Sequence, residues 1–308
     1  LANRLNLTES LLQPLMLLSL IWVLKSHFLS EENLENKKST IILCILSSLS
    51  LLTKQLGVAI PLTVFIFFIS KKQWANAIAI VASSTLAVGI YLTLAWNYGW
   101  EIFINSIKSY GAHANGLPEL IQSIFRYPII TNRHELFPDG LILLGYILFF
   151  SAPWWLQKKD RIILYFPFTY LTLLAILESA NDSNPFFYGW HLFPFFPFLA
   201  ILIALAVKEV WKYGDKTQAW FIGLITMLSS VRFWLISFPE YQPKWQIILI
   251  IIFALIGLAI IIKEKIALTL IAILVLITNV MVVFNLGKIY GKRIQPKEEY
   301  VIPLQGLL

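Results

Sequence analysis

Apolar stretches, each close to the length that crosses a membrane, follow one another along most of the chain, and short polar segments separate them. A transmembrane helix needs about 20 apolar residues, with a range of roughly 17–25. The pattern predicts ten transmembrane helices, at residues 10–26, 39–53, 55–70, 75–96, 141–156, 162–178, 192–210, 219–238, 246–262 and 266–286. We therefore expect an all-α fold, a polytopic transmembrane helix bundle that forms a single domain over residues 1–308.

One lysine interrupts the apolar pattern between the second and third predicted helices. Lys54 lies in the stretch LLTKQLGVAIP, with uncharged apolar residues before and after it. The segment from Lys38 to Lys71 is too long for one crossing and just long enough for two closely connected helices. Gln55 and Gly57 can supply the turn between them. We therefore predict a helix break at Lys54, with this lysine at a membrane face.

Composition agrees with a membrane protein. Hydrophobic residues make up 58% of the chain and charged residues 13%, whereas soluble domains carry about 25% charged residues. The net charge of +7 is then explained by basic loops, so we expect no nucleic-acid partner. The single cysteine, Cys44, excludes an internal disulfide and a cysteine-based metal cluster. Because the chain starts at Leu1 in the middle of the pattern, we expect further residues to precede it.

The distribution of basic residues predicts the orientation. If the ten helices alternate in direction, one side of the membrane receives most of the lysines and arginines, and the positive-inside rule makes that side cytoplasmic. Its basic residues are Lys25, Lys37, Lys38, Lys71, Lys72, Lys158, Lys159, Arg161, Lys208, Lys212, Lys216, Lys263 and Lys265. Lys54 then faces outward together with both termini. An anionic ligand would explain a lysine at that position.

The longest segment between predicted helices covers residues 97–140 and lies on the outer face. Its apolar residues recur at helical spacing in WEIFINSIKSY and ELIQSIFRY, which predicts amphipathic helices at the membrane interface. Arg133 and His134 lie near its polar end. A second outer loop, ESANDSNPFFYGWH, leads into the seventh predicted helix and ends at His191.

Three segments resemble, in order, those of the polyprenyl-phosphate-sugar-dependent glycosyltransferases of the GT-C class, which include protein mannosyltransferases and lipid A aminoarabinose transferases. RLNLTESLLQPLMLLSLIWVLKS is similar to their span that an acidic residue opens and a basic residue closes, here Glu9 and Lys25. LLTKQLGVAIPL resembles their LTK-x-x-G…P helix pair. YGWHLFPFFPFLAIL resembles an aromatic or basic residue followed by L-x-P-x-x-P. Together these segments and the topology cover most of the chain.

The resemblance implies an integral membrane enzyme that moves a sugar from a polyprenyl-phosphate donor to a lipid, protein or glycan acceptor. The site would face outward from a bacterial or archaeal plasma membrane and border membrane lipids. Such chemistry needs a cation for the phosphate leaving group and a carboxylate base, and a divalent metal ion is the one cofactor that we expect. The family's first acidic motif lies upstream of residue 1, so the general base is not in this chain and the chain alone is expected to be inactive.

When the functional positions of the family are carried over to the matching residues of this sequence, Glu9 is the catalytic candidate and the candidate metal ligand. The candidates for substrate binding are Lys54, His191, Arg133 and His134. Each candidate has a second interpretation. Glu9 can stabilise a helix by lying at the positive end of its dipole, and Lys54 can extend from a helix end to the membrane interface. His191 can pack at the start of a helix. Arg133 and His134 can simply be solvated or touch lipid headgroups.

Two other functions remain open. An O-antigen ligase or polymerase shares the donor chemistry, and its outer-loop arginines and histidines would correspond to Arg133 and His134. A transporter or flippase of lipid-linked substrates would place charged residues near the bilayer midplane and show an internal repeat. The sequence shows neither feature, and its polar groups collect on the outer face. A non-catalytic structural protein also stays open.

Overall fold

The computed structural model describes residues 2–28, 33–111, 130–132, 135–136, 140–158, 160–178, 194–237 and 242–293. These residues are almost entirely helical, which confirms the all-α class. The helices are α1 (Ala2–Phe28), α2 (Asn33–Thr53), α3 (Ala59–Ser70), α4 (Trp74–Gly111), α5 (Gly140–Trp155), α6 (Tyr165–Glu178), α7 (Phe196–Tyr213), α8 (Lys216–Ser237) and α9 (Gln242–Arg293). Short 3₁₀ helices at Gln55–Val58 and Asp160–Leu164 precede α3 and α6.

The segment predicted as an outer loop contains both helix and strand. α4 continues to Gly111 and so includes the predicted helix WEIFINSIKSY. Further along, β1 (Ile130–Asn132) and β2 (Glu135–Leu136) form an antiparallel pair, with Ile130 opposite Leu136. This small hairpin has no counterpart among the sequence predictions, because its strands are too short to show an alternating pattern. The second predicted helix, ELIQSIFRY, lies outside the described residues.

The two longest helices each contain one residue with non-helical backbone angles. In α4 this residue is Gly99, with φ 141° and ψ 77°, a conformation that glycine adopts without steric cost. In α9 it is Lys263, with φ −148° and ψ 90°. Both breaks fall within a few residues of the helix ends predicted at residues 96 and 262. The helical segments therefore follow the apolar pattern closely.

One helical segment in the described part of the chain is long and apolar enough to cross a membrane, judged by length and composition. It is Trp74–Asn105 of α4, of which the most apolar stretch is only 17% buried by the rest of the protein. The apolar helical segments Leu11–Ser26, Leu56–Ser70 and Gly140–Trp155 are shorter. These findings support association with a membrane, whereas ten crossings remain a prediction.

The chain divides into two compact units, each of which is described by itself. The first unit contains Leu1–Pro128 and Gly145–Leu202, and the second contains Ile129–Leu144 and Ile203–Leu308. α5 and α7 contribute residues to both units. Whether the chain is one domain, as we predicted, stays a prediction.

In the first unit, α2 packs against α1 and α4, and α3 packs against α4 and α6. The segment that resembles L-x-P-x-x-P contributes two fully buried rings to this core. Phe195 stacks on Tyr146 with ring centroids 5.6 Å apart, and Phe198 stacks on Phe166 at 6.2 Å. Pro197 lies in the first turn of α7, where its missing N–H removes no helical hydrogen bond. The motif thus has a packing role at the start of α7.

In the second unit, α8 packs along α9. Ser230 and Thr278 form a buried hydrogen bond of 2.9 Å between their hydroxyl oxygens. Leu141 donates its backbone N–H to Ser229 Oγ at 3.0 Å. Both contacts join segments far apart in the sequence, so they fix the register of α8 against its neighbours.

Candidate functional site

The helix break at Lys54 is confirmed. α2 ends at Thr53, and Lys54 has extended backbone angles, with φ −162° and ψ 156°. The 3₁₀ helix Gln55–Val58 follows at once and leads into α3. Lys54 is partly exposed. The lysine therefore occupies a bend between two helices rather than the interior of one long helix.

Hydrogen bonds that centre on Ser50 hold this bend. Thr53 Oγ1 donates to the Ser50 carbonyl at 2.6 Å, and Ser50 Oγ lies 2.9 Å from the Gly57 carbonyl. Gly57 N–H donates to the Lys54 carbonyl at 2.8 Å. Ser50 is fully buried, so these bonds form in an environment with little competing water. The end of α2 and the turn that follows it are thus fastened to each other.

Gly57 is required by the close approach of the turn to α2. A Cβ atom at this position would lie 1.8 Å from the Ser50 carbonyl oxygen, which is backbone and cannot rotate away. This close approach explains why a glycine stands three residues after the lysine. The spacing K-x-x-G in the segment LLTKQLGVAIPL describes this turn.

An open groove of about 350 Å³ adjoins the bend in the first unit. Its lining is mostly apolar and comes from α2, the 3₁₀ helix, α3 and α4: Leu51, Val58, Pro61, Leu62, Phe65, Ile80, Val81, Ser84, Thr85 and Val88. Leu51 and Val58 flank Lys54 in the sequence, so the groove begins beside the bend. Ser84 Oγ is buried and has no hydrogen-bond partner among the described residues. Ser84 and Thr85 are the two hydroxyl residues in this otherwise apolar lining.

Glu9 lies two turns inside α1, because the helix begins at Ala2 rather than at the predicted residue 10. A helix dipole acts mainly on charges in the first turn. The interpretation of Glu9 as a charge at the start of a helix is therefore wrong. Its side chain is not among those that the structure describes.

Glu9 and Lys54 lie at similar positions along the axes of α1 and α2. α1 and α2 pack together and are joined by four residues, which indicates an antiparallel pair. At 1.5 Å per residue, Glu9 lies about 29 Å from the end of α1 at Phe28, and Thr53 lies about 30 Å from the start of α2 at Asn33. The two candidates thus belong to the same end of this helix pair.

The other three candidates lie outside the described residues. His191 precedes α7 in the sequence, and Arg133 and His134 lie between β1 and β2. In the described part of the chain, no three histidine, cysteine, aspartate or glutamate side chains gather into a group that could hold a metal ion. A metal at Glu9 therefore stays a prediction.

A comparison with protein-family models finds no match for this chain, and comparisons with curated proteins and with solved structures find none either. The resemblance to the GT-C class accordingly rests on the three segments quoted above.

Sequence reasoning missed two parts of this site. Ser50 and Ser84 lie within apolar helices, where a serine usually bonds to its own helix and carries no functional signal. The groove was also missed, because it depends on how α3 and α4 pack. The one sequence signal for a polar contact at the end of α2 is the cluster of three serines before Lys54, in the stretch LSSLSLL.

Proposed function

We propose that this chain is an integral membrane glycosyltransferase of the GT-C class. It moves a sugar from a polyprenyl-phosphate donor to a lipid, protein or glycan acceptor on the outer face of the membrane. The observation that carries the proposal is the bend at Lys54, which follows the last residue of α2 and lies in the sequence between Leu51 and Val58, two residues that line an apolar groove. A cation next to an apolar groove suits a ligand with a phosphate head and a hydrocarbon tail.

In this proposal Lys54 contacts the donor phosphate, and the groove receives the nearest part of the polyprenyl chain. As the sugar leaves the phosphate, negative charge grows on the bridging oxygen, and a fixed ammonium group stabilises that charge. The hydrogen bonds of Ser50 and the absence of a side chain at Gly57 hold the backbone of the bend in place. The lysine is thus presented from a preorganised turn.

Glu9 has the second role in the proposal. A carboxylate at the same end of the helix pair as Lys54 can orient the acceptor or bind a divalent metal ion. Of the five candidate site residues, Glu9 is the one with a carboxylate. The proposal assigns the general base to no residue of this chain. His191, Arg133 and His134 are proposed to contact the donor from the outer loops.

The same proposal includes ten membrane crossings. The breaks at Gly99 and Lys263 divide the two longest helices into four segments. Ten of the eleven helical segments that result among the described residues overlap the predicted spans, and the eleventh, from Gly99 to Gly111, falls in the predicted outer loop. The bend at Lys54 separates the second span from the third.

The test is sugar transfer from a synthetic polyprenyl-phosphate sugar by the complete protein in liposomes. Lys54→Gln removes the charge but keeps much of the length, and we expect transfer to fall on the order of 10²-fold. Lys71→Gln is the matched control, because Lys71 follows α3 at the opposite end of that helix. We expect the control to transfer sugar at nearly the wild-type rate.

Wild-type transfer by a folded Lys54→Gln variant would refute the role of this lysine. Transport of the intact lipid-linked sugar without any transfer would instead favour a flippase. Ligation to a preformed lipid-linked glycan, abolished by changes at Arg133 or His134, would favour an O-antigen ligase or polymerase. The three outcomes are distinguished by the product that appears and by the side on which it appears.

A further inference from the structure

Five lysines lie where α7 ends, α8 begins and α9 breaks, all within the second unit: Lys208, Lys212, Lys216, Lys263 and Lys265. We call these residues the lysine cluster. Lys216 Nζ lies 2.5 Å from the Ile261 carbonyl oxygen, and Lys265 Nζ lies 5.9 Å from the centre of the Trp211 ring. These two contacts tie the break in α9 to the turn between α7 and α8. The lysines therefore share one end of this unit.

Aromatic side chains with polar atoms accompany the lysines. Trp211 and Trp220 are each 45% exposed, and Tyr213 is 65% exposed. Lys212 Nζ lies 4.9 Å from the centre of the Tyr213 ring. Tryptophan and tyrosine with this partial exposure are typical of the level at which lipid headgroups meet hydrocarbon. The lysine cluster thus lies where a membrane surface is expected.

An apolar groove of about 410 Å³ runs between α8 and α9 and ends at the lysine cluster. Its lining is Trp220, Leu224, Phe253, Ala254, Gly257, Leu258 and Ile261. Ile261 belongs to both features, since it lines the groove and its carbonyl accepts the bond from Lys216. Gly257 keeps the groove open beside Trp220, because a Cβ at this position would lie 3.2 Å from Trp220 Nε1.

The charge around the groove mouth is positive overall. Three carboxylates accompany the five lysines: Glu209, Asp215 and Glu264. Asp215 is engaged locally, because its Oδ1 accepts the Gln218 backbone N–H at 3.0 Å and caps α8. A hydrogen bond with Tyr213 is the main cause that raises the pKa of Lys212. The lysine remains charged at neutral pH.

We propose that the lysine cluster and the groove bind one anionic phospholipid, with the phosphate against the lysines and an acyl chain along α8 and α9. A soluble phosphate would explain the lysines but not the apolar groove that ends beneath them. A neutral lipid would explain the groove but not the excess of lysines. Clusters of lysine beside transmembrane helices attract anionic headgroups in this way. The inference rests on the proposed membrane embedding and is independent of sugar transfer.

The experiment measures lipid binding to the purified complete protein by native mass spectrometry. The probes are phosphatidylglycerol, phosphatidylcholine and inorganic phosphate. We expect wild-type protein to bind phosphatidylglycerol at least tenfold more tightly than phosphatidylcholine. Excess inorganic phosphate should not displace the phosphatidylglycerol, because it lacks the acyl chain. Equal binding of the two lipids, or full displacement by phosphate, would overturn the proposal.

Variants test whether phosphatidylglycerol binds at the lysine cluster. The triple variant Lys212→Gln, Lys263→Gln, Lys265→Gln leaves the bond from Lys216 to Ile261 intact. Each lysine near an anionic headgroup contributes on the order of fivefold in binding, so the triple variant should lose on the order of 10²-fold. The matched control is Lys71→Gln, Lys72→Gln, Lys158→Gln, which removes the same charge from the first unit. An equal loss in both triple variants would overturn the assignment.

A groove variant completes the test and covers the case in which the triple variant does not fold. Gly257→Leu fills the groove and should reduce phosphatidylglycerol binding at least tenfold. Gly89→Leu should not, because Gly89 lies in α4, away from this groove, where an added Cβ meets nothing within 4 Å. Equal effects of the two leucines would contradict the lipid site. Lipid binding does not require the sugar donor, so it can succeed where sugar transfer fails, and the two proposals are judged separately.

Discussion

At the scale of single residues, Gly57 is the position where the bend tolerates the least change. Its Cβ would meet the Ser50 carbonyl at 1.8 Å, so Gly57→Ala must displace the turn or the end of α2. Overpacking of this kind costs roughly 1–3 kcal/mol. We expect Gly57→Ala to lower the thermal unfolding temperature of the purified protein in detergent.

Gly89 provides the matched comparison for this substitution. It lies inside α4, and an added Cβ meets no atom within 4 Å. Alanine is a better helix former than glycine by about 0.5–1 kcal/mol, so Gly89→Ala should raise the unfolding temperature. If Gly57→Ala were as stable as Gly89→Ala, the close approach of the turn to Ser50 would be incorrect.

The residues of the candidate site show how much of it a sequence can predict. Lys54 and Gly57 were predictable, because a charge and a glycine stand out in an apolar run. Ser50 and Ser84 were not, because Ser50 matters through its bond to the Gly57 carbonyl and Ser84 through the groove that it lines. Glu9 was misplaced for a related reason. The apolar pattern starts at residue 10, whereas α1 extends through polar residues to Ala2.

At the scale of helices, the end of α3 contains an unusual residue. Lys72 has φ 58°, a left-handed conformation that costs a non-glycine residue roughly 1–2 kcal/mol. The backbone N–H groups of Lys72 and Gln73 donate to the carbonyls of Ile69 and Phe68 at 2.8 Å and 2.9 Å. This is a Schellman motif, in which glycine is the usual residue at the position of Lys72.

We therefore expect Lys72→Gly to stabilise the protein. Relief of the left-handed strain exceeds the added flexibility of glycine by about 0.5–1 kcal/mol. Lys71→Gly is the control, because it removes the same charge at a residue with φ −91°, where no strain is present. Unfolding in detergent should shift to higher temperature for the first variant and not for the second. The opposite order would show that Lys72 is not strained.

Helix ends were more predictable than the connections between them. The breaks at Lys54, Gly99 and Lys263 all lie near ends of apolar stretches, where polar residues interrupt the pattern that predicts each helix. The hairpin of β1 and β2 was missed. A pair of strands this short is held by backbone hydrogen bonds and leaves almost no pattern in the side chains.

At the scale of the whole chain, the predicted distribution of charge has one structural counterpart. Lys216 lies at the turn between α7 and α8, whereas Lys263 and Lys265 lie at the break in α9. The sequence analysis assigned all three to one membrane face only because the predicted helices alternate in direction. The contacts of Lys216 with Ile261 and of Lys265 with Trp211 bring these connections together. Both grooves, in contrast, were beyond prediction, because each depends on how several helices pack rather than on the sequence of any one helix.

The orientation of the chain is the last prediction, and it can be tested directly. Lys54 is expected outside and the connection after α5 inside, so a cysteine at Gln55 and one at Gln157 should behave oppositely. Cys44 is first replaced by alanine, which leaves each reporter as the single cysteine. In intact cells, a membrane-impermeant maleimide should label Gln55→Cys and not Gln157→Cys. After permeabilisation both should react, which controls for local accessibility. Labelling in the reverse pattern would place Lys54 in the cytoplasm, away from any outer-face donor.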